Sequence, residues 1–232
     1  IIFSFFNCSD SSESTELTEP VDEDNNPIEV PVESSIAFQK QYETDSIFTL
    51  NSAVQLIDSS YTIAGAVRYN GSGNKNVIMK FDKYGNRDWI KVMENTYTPN
   101  GIEKLFKNGN GYIGYRGHHF NIQNSSHVIF FNETGDVESE IFMNNDILGN
   151  DMIIDGNNFL IAGYKDGEKT FRMLNQTGNL IWEKSYDLPS AYSISKLTDG
   201  NYISIGGANY GFNENSLLKF NENGEEIWNK NY

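Results

Sequence analysis

The hexapeptide Lys80-Phe81-Asp82-Lys83-Tyr84-Gly85 returns three more times along this chain of 232 residues. The other copies are Phe130-Phe131-Asn132-Glu133-Thr134-Gly135, Met173-Leu174-Asn175-Gln176-Thr177-Gly178 and Lys219-Phe220-Asn221-Glu222-Asn223-Gly224. Each copy has Asp or Asn three residues before a Gly, and the glycines are spaced by 50, 43 and 46 residues. Self-similarity at this period is typical of stacked or radial repeat architectures.

The tryptophans follow the same repeat. The fourth residue after the Gly is Trp89, Trp182 or Trp228 in three copies, and the second copy has Ser139 there. We expect the Asp or Asn of each copy to close a hairpin turn by hydrogen-bonding its own backbone. These residues are Asp82, Asn132, Asn175 and Asn221. A calcium site is disfavoured, because one oxygen ligand per turn is too few for a cation that takes six or more.

A second signal precedes each hexapeptide and predicts the content of the repeat. Turn-forming residues are followed by an aromatic residue and an apolar run, as in Tyr61-Thr62-Ile63-Ala64-Gly65 and Tyr202-Ile203-Ser204-Ile205-Gly206. Each unit therefore reads as four short strands, and no stretch keeps helical spacing beyond a turn or two, so the chain is predicted to be all-β. Four strands in roughly 40 to 50 residues are typical of a β-propeller blade, and a flat solenoid is the alternative.

The repeat units are predicted at residues 53–93, 102–143, 151–186 and 193–232. Residues 36–42 resemble the ends of these units, which predicts an outer strand whose blade lacks its three inner strands. We therefore expect an incomplete ring, and a native chain that continues past Tyr232. A four-bladed ring with a spare N-terminal strand is the alternative.

The Asx-x-x-Gly-x-x-x-Trp hairpin resembles the tryptophan-docking motif of the quinoprotein-type (PQQ-like) β-propellers, over about residues 36–232. That resemblance implies a Trp on each outer strand that packs against the neighbouring blade. The run at residues 199–207 looks like the repeat of many bacterial secreted or lipid-anchored propellers. A quinone is not implied, because the docking Trp is structural and occurs in many non-enzymes, and no cofactor is expected.

The N-terminus carries a different resemblance. The run Ile1-Ile2-Phe3-Ser4-Phe5-Phe6-Asn7-Cys8 is similar to the end of a bacterial lipoprotein signal segment, which implies that Cys8 is acylated. Residues 1–7 would then be a signal remnant and are kept out of the fold prediction. The acidic run after Cys8 resembles the export signal of surface lipoproteins, which implies the outer membrane and the cell surface rather than the periplasmic side. A free thiol on a disordered tail is the alternative.

Charge separates a tether from the repeats. Residues 9–39 hold nine acidic groups and no Lys or Arg, and with Pro20, Pro27 and Pro31 they predict an extended, self-repelling tether at residues 8–35. Without these nine charges the formal net charge of −15 becomes −6. Moderate acidity argues against nucleic acid as a partner, since its binding needs clustered Lys and Arg.

Few side chains favour catalysis, and we expect no enzyme. His118 and His119 are adjacent and would point to opposite faces of a strand. On a loop they could bind a metal together with His127 or a nearby carboxylate, but their spacing is not one that zinc sites favour, and no metal is expected. No Gly-x-Ser-x-Gly, phosphate-loop or His-Glu-x-x-His motif occurs.

The loops between the second and third strands indicate a binding face. They vary freely at residues 68–76, 117–126, 164–169 and 208–215, whereas the other hairpin turns are short and uniform. Exposed aromatic rings beside amide groups suit a glycan or peptide surface. The candidate ligand-binding residues are Tyr69, His118, His119, Phe120, Tyr164, Tyr210 and Phe212. Some of these rings could instead cap the blades.

The sequence predicts a lipid-anchored β-propeller that binds a protein or glycan through its variable loops. Two alternatives remain open. One is a periplasm-facing scaffold for membrane-protein assembly, similar to the PQQ-like propeller lipoprotein of that machinery. The other is an enzyme, such as a polysaccharide lyase or a quinoprotein dehydrogenase, which would need several charged groups in the axial funnel.

Overall fold

The computed structural model describes residues 2–4, 39–41, 46–68, 73–93, 101–117, 126–143, 147–188, 190–207 and 215–232. All of its regular elements in these ranges are β-strands. Two short strands, β1 (Ile2–Ser4) and β2 (Gln39–Gln41), pair antiparallel with each other. The second of them lies within the predicted outer strand at residues 36–42.

The other sixteen strands form four sheets of four. The first blade is β3 (Ile47–Gln55), β4 (Tyr61–Arg68), β5 (Lys75–Phe81) and β6 (Arg87–Val92). The second is β7 (Lys104–Asn108), β8 (Gly111–Arg116), β9 (His127–Phe131) and β10 (Val137–Phe142). The third is β11 (Leu148–Asp155), β12 (Asn158–Lys165), β13 (Glu168–Leu174) and β14 (Leu180–Tyr186). The fourth is β15 (Ala191–Lys196), β16 (Tyr202–Gly207), β17 (Asn215–Phe220) and β18 (Glu226–Asn231).

Each blade is an antiparallel meander in which strands pair in chain order, and the four blades are arranged as a β-propeller. The all-β propeller prediction is therefore confirmed. The alternation of apolar residues places one set of side chains on each face of a blade, as strand geometry requires. In β12, Leu160 packs towards the fourth blade and Ile161 towards the second.

The core lies between the blades, because both faces of a blade carry apolar side chains. One cluster joins the first and second blades around Ile78 and Ile129, and another joins the second and third around Val128 and Ile161. The third and fourth blades meet at Phe171 and Phe220, whose ring centroids are 4.6 Å apart. Burying such a side chain contributes about 1.5–3 kcal/mol, so the blade interfaces supply most of the apolar stabilisation.

The hexapeptide repeats form the same turn four times, between the third and fourth strands. The side-chain oxygen of Asn175 accepts hydrogen bonds from the backbone N–H groups of Thr177 at 3.0 Å and Asn179 at 2.9 Å. The equivalent pairs of bonds are made by Asp82, Asn132 and Asn221. The turn glycines have φ between 74° and 83°, where L side chains are strained. The Asx hypothesis is confirmed.

The tryptophans of the first and third blades contact the next turn along the chain. A Cβ added to Gly135 would lie 2.5 Å from the ring of Trp89, and one added to Gly224 would lie 3.0 Å from the ring of Trp182. The Trp182 Nε1–H also donates to the Glu222 carbonyl at 3.0 Å. Only glycine leaves room for an indole this close to the backbone, which is why Gly and Trp recur together.

Candidate functional site

The two ends of the propeller differ. One end, here called the turn end, carries the four Asx turns and the short turns between first and second strands. The other end, here called the loop end, carries the variable loops and the connections between blades. In the third blade the variable loop is a two-residue turn, Asp166-Gly167, with φ of 52° and 101°. Two positive φ values are typical of a type I′ hairpin turn.

Buried polar residues lie where the third strands begin, just beneath the loop end. In each blade two successive residues are placed so that the first faces the next blade and the second faces the preceding one. We name the buried members of this set the polar belt. The polar belt consists of Asn76, Ser126, His127, Lys169, Thr170 and Ser216, each no more than 7% exposed.

Lys169 joins the third and fourth blades within the polar belt. Its side chain is fully buried, and its Nζ donates to the Ser216 Oγ at 2.8 Å. The ammonium lies beside Gly206, where an added Cβ would be 3.1 Å from Nζ. Burial lowers the pKa of Lys169 to about 8, because desolvation disfavours the charged amine.

His127 is the member of the polar belt that faces the first blade, and Arg116 of β8 is its partner. Arg116 Nη2 lies 2.8 Å from His127 Nε2, and since arginine can only donate, Nε2 accepts and the ring proton resides on Nδ1. Nδ1 is 3.4 Å from a Glu140 oxygen. Burial and then the Arg116 charge lower the pKa of His127 to about 4, so the imidazole is neutral at neutral pH.

Ser126 lies opposite the third blade at the same level. The hydroxyls of Tyr115 and Ser126 both face Gly149, where an added Cβ would be 2.2 Å from the tyrosine oxygen and 3.3 Å from the serine oxygen. Burial raises the pKa of Tyr115, which stays protonated as a neutral phenol. Thr170 Oγ1 lies 2.8 Å from the Ser185 hydroxyl on the neighbouring strand. The residues at these two positions of the third strand therefore differ from blade to blade.

An acidic group on an inner strand ties three blades together. Asp151 of β11 is 2% exposed, and its Oδ2 accepts hydrogen bonds from Ser193 Oγ at 2.9 Å and from the Ile194 N–H at 3.0 Å, both in the fourth blade. Its Oδ1 accepts from its neighbour Met152 at 2.7 Å and pairs with Lys104 of the second blade at 3.0 Å. Ser52 occupies the equivalent place in the first blade and accepts from the next blade through its hydroxyl.

The structure places few of the predicted ligand-binding residues. Tyr164 is half-buried at the end of β12, paired with Lys169. Cys8 and the other loop candidates lie outside the described residues; these are Tyr69, His118, His119, Phe120, Tyr210 and Phe212. His127 lies in the polar belt and accepts from Arg116. Within the described ranges, no group of three or more His, Cys, Asp or Glu side chains is placed to hold a metal ion.

The polar belt was not singled out by sequence reasoning. Its members differ from blade to blade, so the repeat carries no signal at this position. One available signal is the charged residue in the strand Glu168-Lys169-Thr170-Phe171, where Lys169 precedes an apolar run on the same face as Phe171. A lysine in phase with core residues indicates a buried amine.

Comparisons with known proteins bear on the fold. No protein-family model matches the chain, and no curated protein matches it in sequence. A protein of unknown function from Bacteroides caccae shares 13% identity at a TM-score of 0.54, over 84% of this chain and 70% of that one. Prolyl oligopeptidase B from Galerina marginata shares 12% identity at a TM-score of 0.52, over 83% of this chain and 28% of the enzyme. At such identities the likeness concerns the fold and carries no activity over.

The part of the chain that the structure describes holds no helix long and apolar enough to cross a membrane. A propeller with one uniform end and one end of unlike loops supports a binding or scaffold role in general terms, because loops on a rigid scaffold are where binding residues concentrate.

Proposed function

We propose that this protein is a lipid-anchored β-propeller of the bacterial outer membrane that binds a protein or glycan ligand through its loop end. The observation that carries the proposal is the contrast between the two ends. The Asx turn is built from the same hydrogen bonds in all four blades, whereas each interface of the polar belt uses different residues. Uniform turns are what a structural scaffold requires, and residues that differ from blade to blade are what a surface specific for one ligand requires.

The polar belt supports the proposal by holding the strand ends that carry the loops. The Lys169–Ser216 bond fixes β13 against β17, and the Arg116–His127 bond fixes β8 against β9. Buried hydrogen bonds in a low dielectric are directional and rigidify the groups that make them. Loops that start from fixed strand ends lose less conformational entropy when they bind a ligand.

A binding comparison between the two ends tests the loop-end proposal. We would screen the protein against arrays of polysaccharides and peptides, and compare Tyr210→Ala/Phe212→Ala with the matched variant Tyr84→Ala. Tyr84 is an aromatic residue of the turn end and is 54% exposed. Tyr210→Ala/Phe212→Ala should raise the Kd at least about tenfold, as expected for the loss of residues that anchor the ligand. Tyr84→Ala should change the Kd less than about twofold. Equal losses in both variants would contradict the proposal.

The anchor is tested separately. Cys8→Ser should abolish incorporation of labelled fatty acid and release the protein from membranes, whereas Ser9→Ala should leave both unchanged. Degradation by protease added to intact cells would support the cell surface. Protection until the outer membrane is permeabilised would favour the periplasm-facing assembly scaffold instead.

The enzyme alternative makes a different demand on the same loops. His118→Ala/His119→Ala should at most weaken ligand binding, because the proposal gives these two loop residues a contact with the ligand and no catalytic part. A metal-dependent activity that disappears in this variant would replace binding by catalysis as the function.

A further inference from the structure

Lys169 is the charged residue of the polar belt. Its partner Ser216 is uncharged, and His127 is neutral at neutral pH. The Lys169 side chain is fully buried between the third and fourth blades. A buried ammonium is stable where a carboxylate or a full set of hydrogen-bond acceptors compensates its desolvation. Among the described residues, Lys169 has neither.

The hydrogen bonds of the Lys169 amine are incomplete. A lysine ammonium carries three N–H donors. One of them donates to Ser216 Oγ at 2.8 Å, and Nζ makes no other hydrogen bond within the described ranges. The backbone of Lys169 is satisfied separately, because its N–H donates to the Leu188 carbonyl at 3.1 Å. Two donors of a buried cation therefore lack an acceptor.

The acidic groups nearest to Lys169 in the fold are engaged elsewhere. Glu168 is exposed, and Glu183 pairs with Arg172, which faces the second blade because side chains alternate along β13. Asp151 accepts its hydrogen bonds from the start of the fourth blade. Burial lowers the pKa of Lys169 without a contribution from any charged group. No carboxylate of the described residues therefore balances this ammonium.

The polar groups beside the amine add donors to the same place. The Ser216 hydroxyl is fully buried and accepts from Lys169, so its own proton is left to donate. Gly206 of β16 lies against the amine, since an added Cβ would be 3.1 Å from Lys169 Nζ and 1.9 Å from the Ser190 carbonyl oxygen. That carbonyl forms no hydrogen bond with Nζ. The Ser190 hydroxyl is buried as well and accepts from Asn150 Nδ2 at 3.2 Å.

We propose that Lys169 and Ser216 form a binding site for a small monovalent anion, of which chloride is the probe, in the interface between the third and fourth blades. The anion would accept from a Lys169 N–H and from the Ser216 O–H, and its charge would neutralise the ammonium. Both groups would then have the partners that the described residues do not supply.

A single-atom anion suits this place better than a carboxylate ligand. Lys169, Ser216 and Ser190 are each at most 3% exposed, so an occupant must be enclosed by the two blades. A halide has no tail that must leave the interface. The bound anion would hold β13 against β17, and the site does not depend on the proposed loop-end function.

The first test compares chloride with gluconate in urea denaturation at constant ionic strength and about pH 7. Gluconate is too large to be enclosed, so it reports the general effect of salt. The midpoint should rise with the logarithm of the chloride concentration once this exceeds the Kd, since a ligand that binds only the folded protein stabilises it. The rise should shrink above the pKa of Lys169, which is about 8, because the amine loses its charge.

Lys169→Met should abolish the chloride-specific rise, because it keeps the apolar length and removes the donor. Lys184→Met, at an exposed lysine of the same blade, should retain it. Ser216→Ala keeps the amine and should weaken chloride binding roughly threefold or more, as expected for the loss of one hydrogen bond. Ser185→Ala removes a hydroxyl that bonds to Thr170 and should leave chloride binding within about twofold.

The second test locates the anion in crystals of the wild-type protein soaked in bromide. We expect an anomalous peak within about 3.5 Å of Lys169 Nζ and Ser216 Oγ. Bromide only at the protein surface would overturn the proposal, as would an undiminished chloride response in a folded Lys169→Met. If Lys169→Met does not fold, the bromide peak and the response of Ser216→Ala decide.

Discussion

Two buried charges of the third blade have very different surroundings. Asp151, on the inner strand, accepts two hydrogen bonds from the fourth blade, one from Met152, and an ion pair from Lys104. Lys169, in the polar belt, has the Ser216 hydroxyl as its hydrogen-bond partner among the described residues. Both side chains are at most 3% exposed. Hydrogen bonds and an ion pair compensate the burial of the Asp151 carboxylate, whereas burial of the Lys169 ammonium lowers the stability of the folded protein.

The difference shows where each group contributes. A buried charge with a full set of donors stabilises the geometry around it, because removing it leaves several polar groups without a partner. A buried amine with a single neutral partner destabilises the charged form of the protein. Lys169 lies beneath the loop end, so this unfavourable burial of an amine occurs beside the variable loops.

The largest expected effect comes from removing the compensated charge. Asp151→Ala should lower the free energy of unfolding by about 3–5 kcal/mol, because three hydrogen-bond donors would lose their charged acceptor together. Urea denaturation measures this change. Asp187→Ala, at an exposed residue of the same blade, should change stability by less than about 0.5 kcal/mol. A loss below about 1 kcal/mol for Asp151→Ala would remove the distinction between the two charges.

The uncompensated charge should appear as a stability that rises with pH in the alkaline range, the opposite of alkaline denaturation. The pKa of Lys169 is about 8 in the folded protein against 10.5 as the ordinary value. Between these pH values the unfolded chain binds a proton that the folded chain does not, so stability should rise with pH, by on the order of 3 kcal/mol. Denaturation at several pH values measures this rise.

Lys169→Met supplies the comparison for that rise, since it keeps the apolar length and removes the amine. Between pH 8 and 10.5, the variant should lack the part of the slope that the wild-type chain owes to Lys169. Lys184→Met, at an exposed lysine of the same blade, should keep the wild-type slope. Parallel slopes in the wild type and Lys169→Met would show that burial does not lower the pKa of Lys169 in the folded protein.

The smallest loss of stability is expected at Asn175, which accepts as many hydrogen bonds as Asp151 but is half-exposed to solvent. The Asn175 side chain accepts from the Thr177 N–H, the Thr177 hydroxyl and the Asn179 N–H at 2.8–3.0 Å. These groups can bond to water once the side chain is gone, so Asn175→Ala should cost about 1 kcal/mol. A thermal unfolding midpoint shifted as far as that of Asp151→Ala would show that burial is not what separates these sites.

The turn end was predictable because its physics repeats. An Asx residue and a glycine with positive φ are short-range requirements, which the sequence shows at Asn221 and Gly224, and the indole that covers this glycine, Trp182, recurs at a fixed place in the preceding repeat. The blade assignment follows, since those turns set the strand ends.

The polar belt and the Asp151 site could not be read in the same way. Ser52, Lys104 and Asp151 occupy equivalent places, yet each uses a different chemistry to meet the next blade. The partner of each polar side chain lies in the neighbouring blade, about 40 residues away in the sequence. A local sequence pattern does not encode contacts over such distances. The aromatic loop residues remain predictions, since all but Tyr164 lie outside the described residues.

The two-residue turn Asp166-Gly167 of the third blade is a suitable place to insert a foreign peptide segment. Its neighbours Lys165 and Glu168 are already paired across β12 and β13, so a grafted segment would begin and end at fixed positions. Lengthening a flexible loop costs only about 0.6 kcal/mol for each doubling, so peptide epitopes or sensor elements could be inserted there with little loss of stability. The shortest loop of the variable face is thus the one best suited to receive a new sequence.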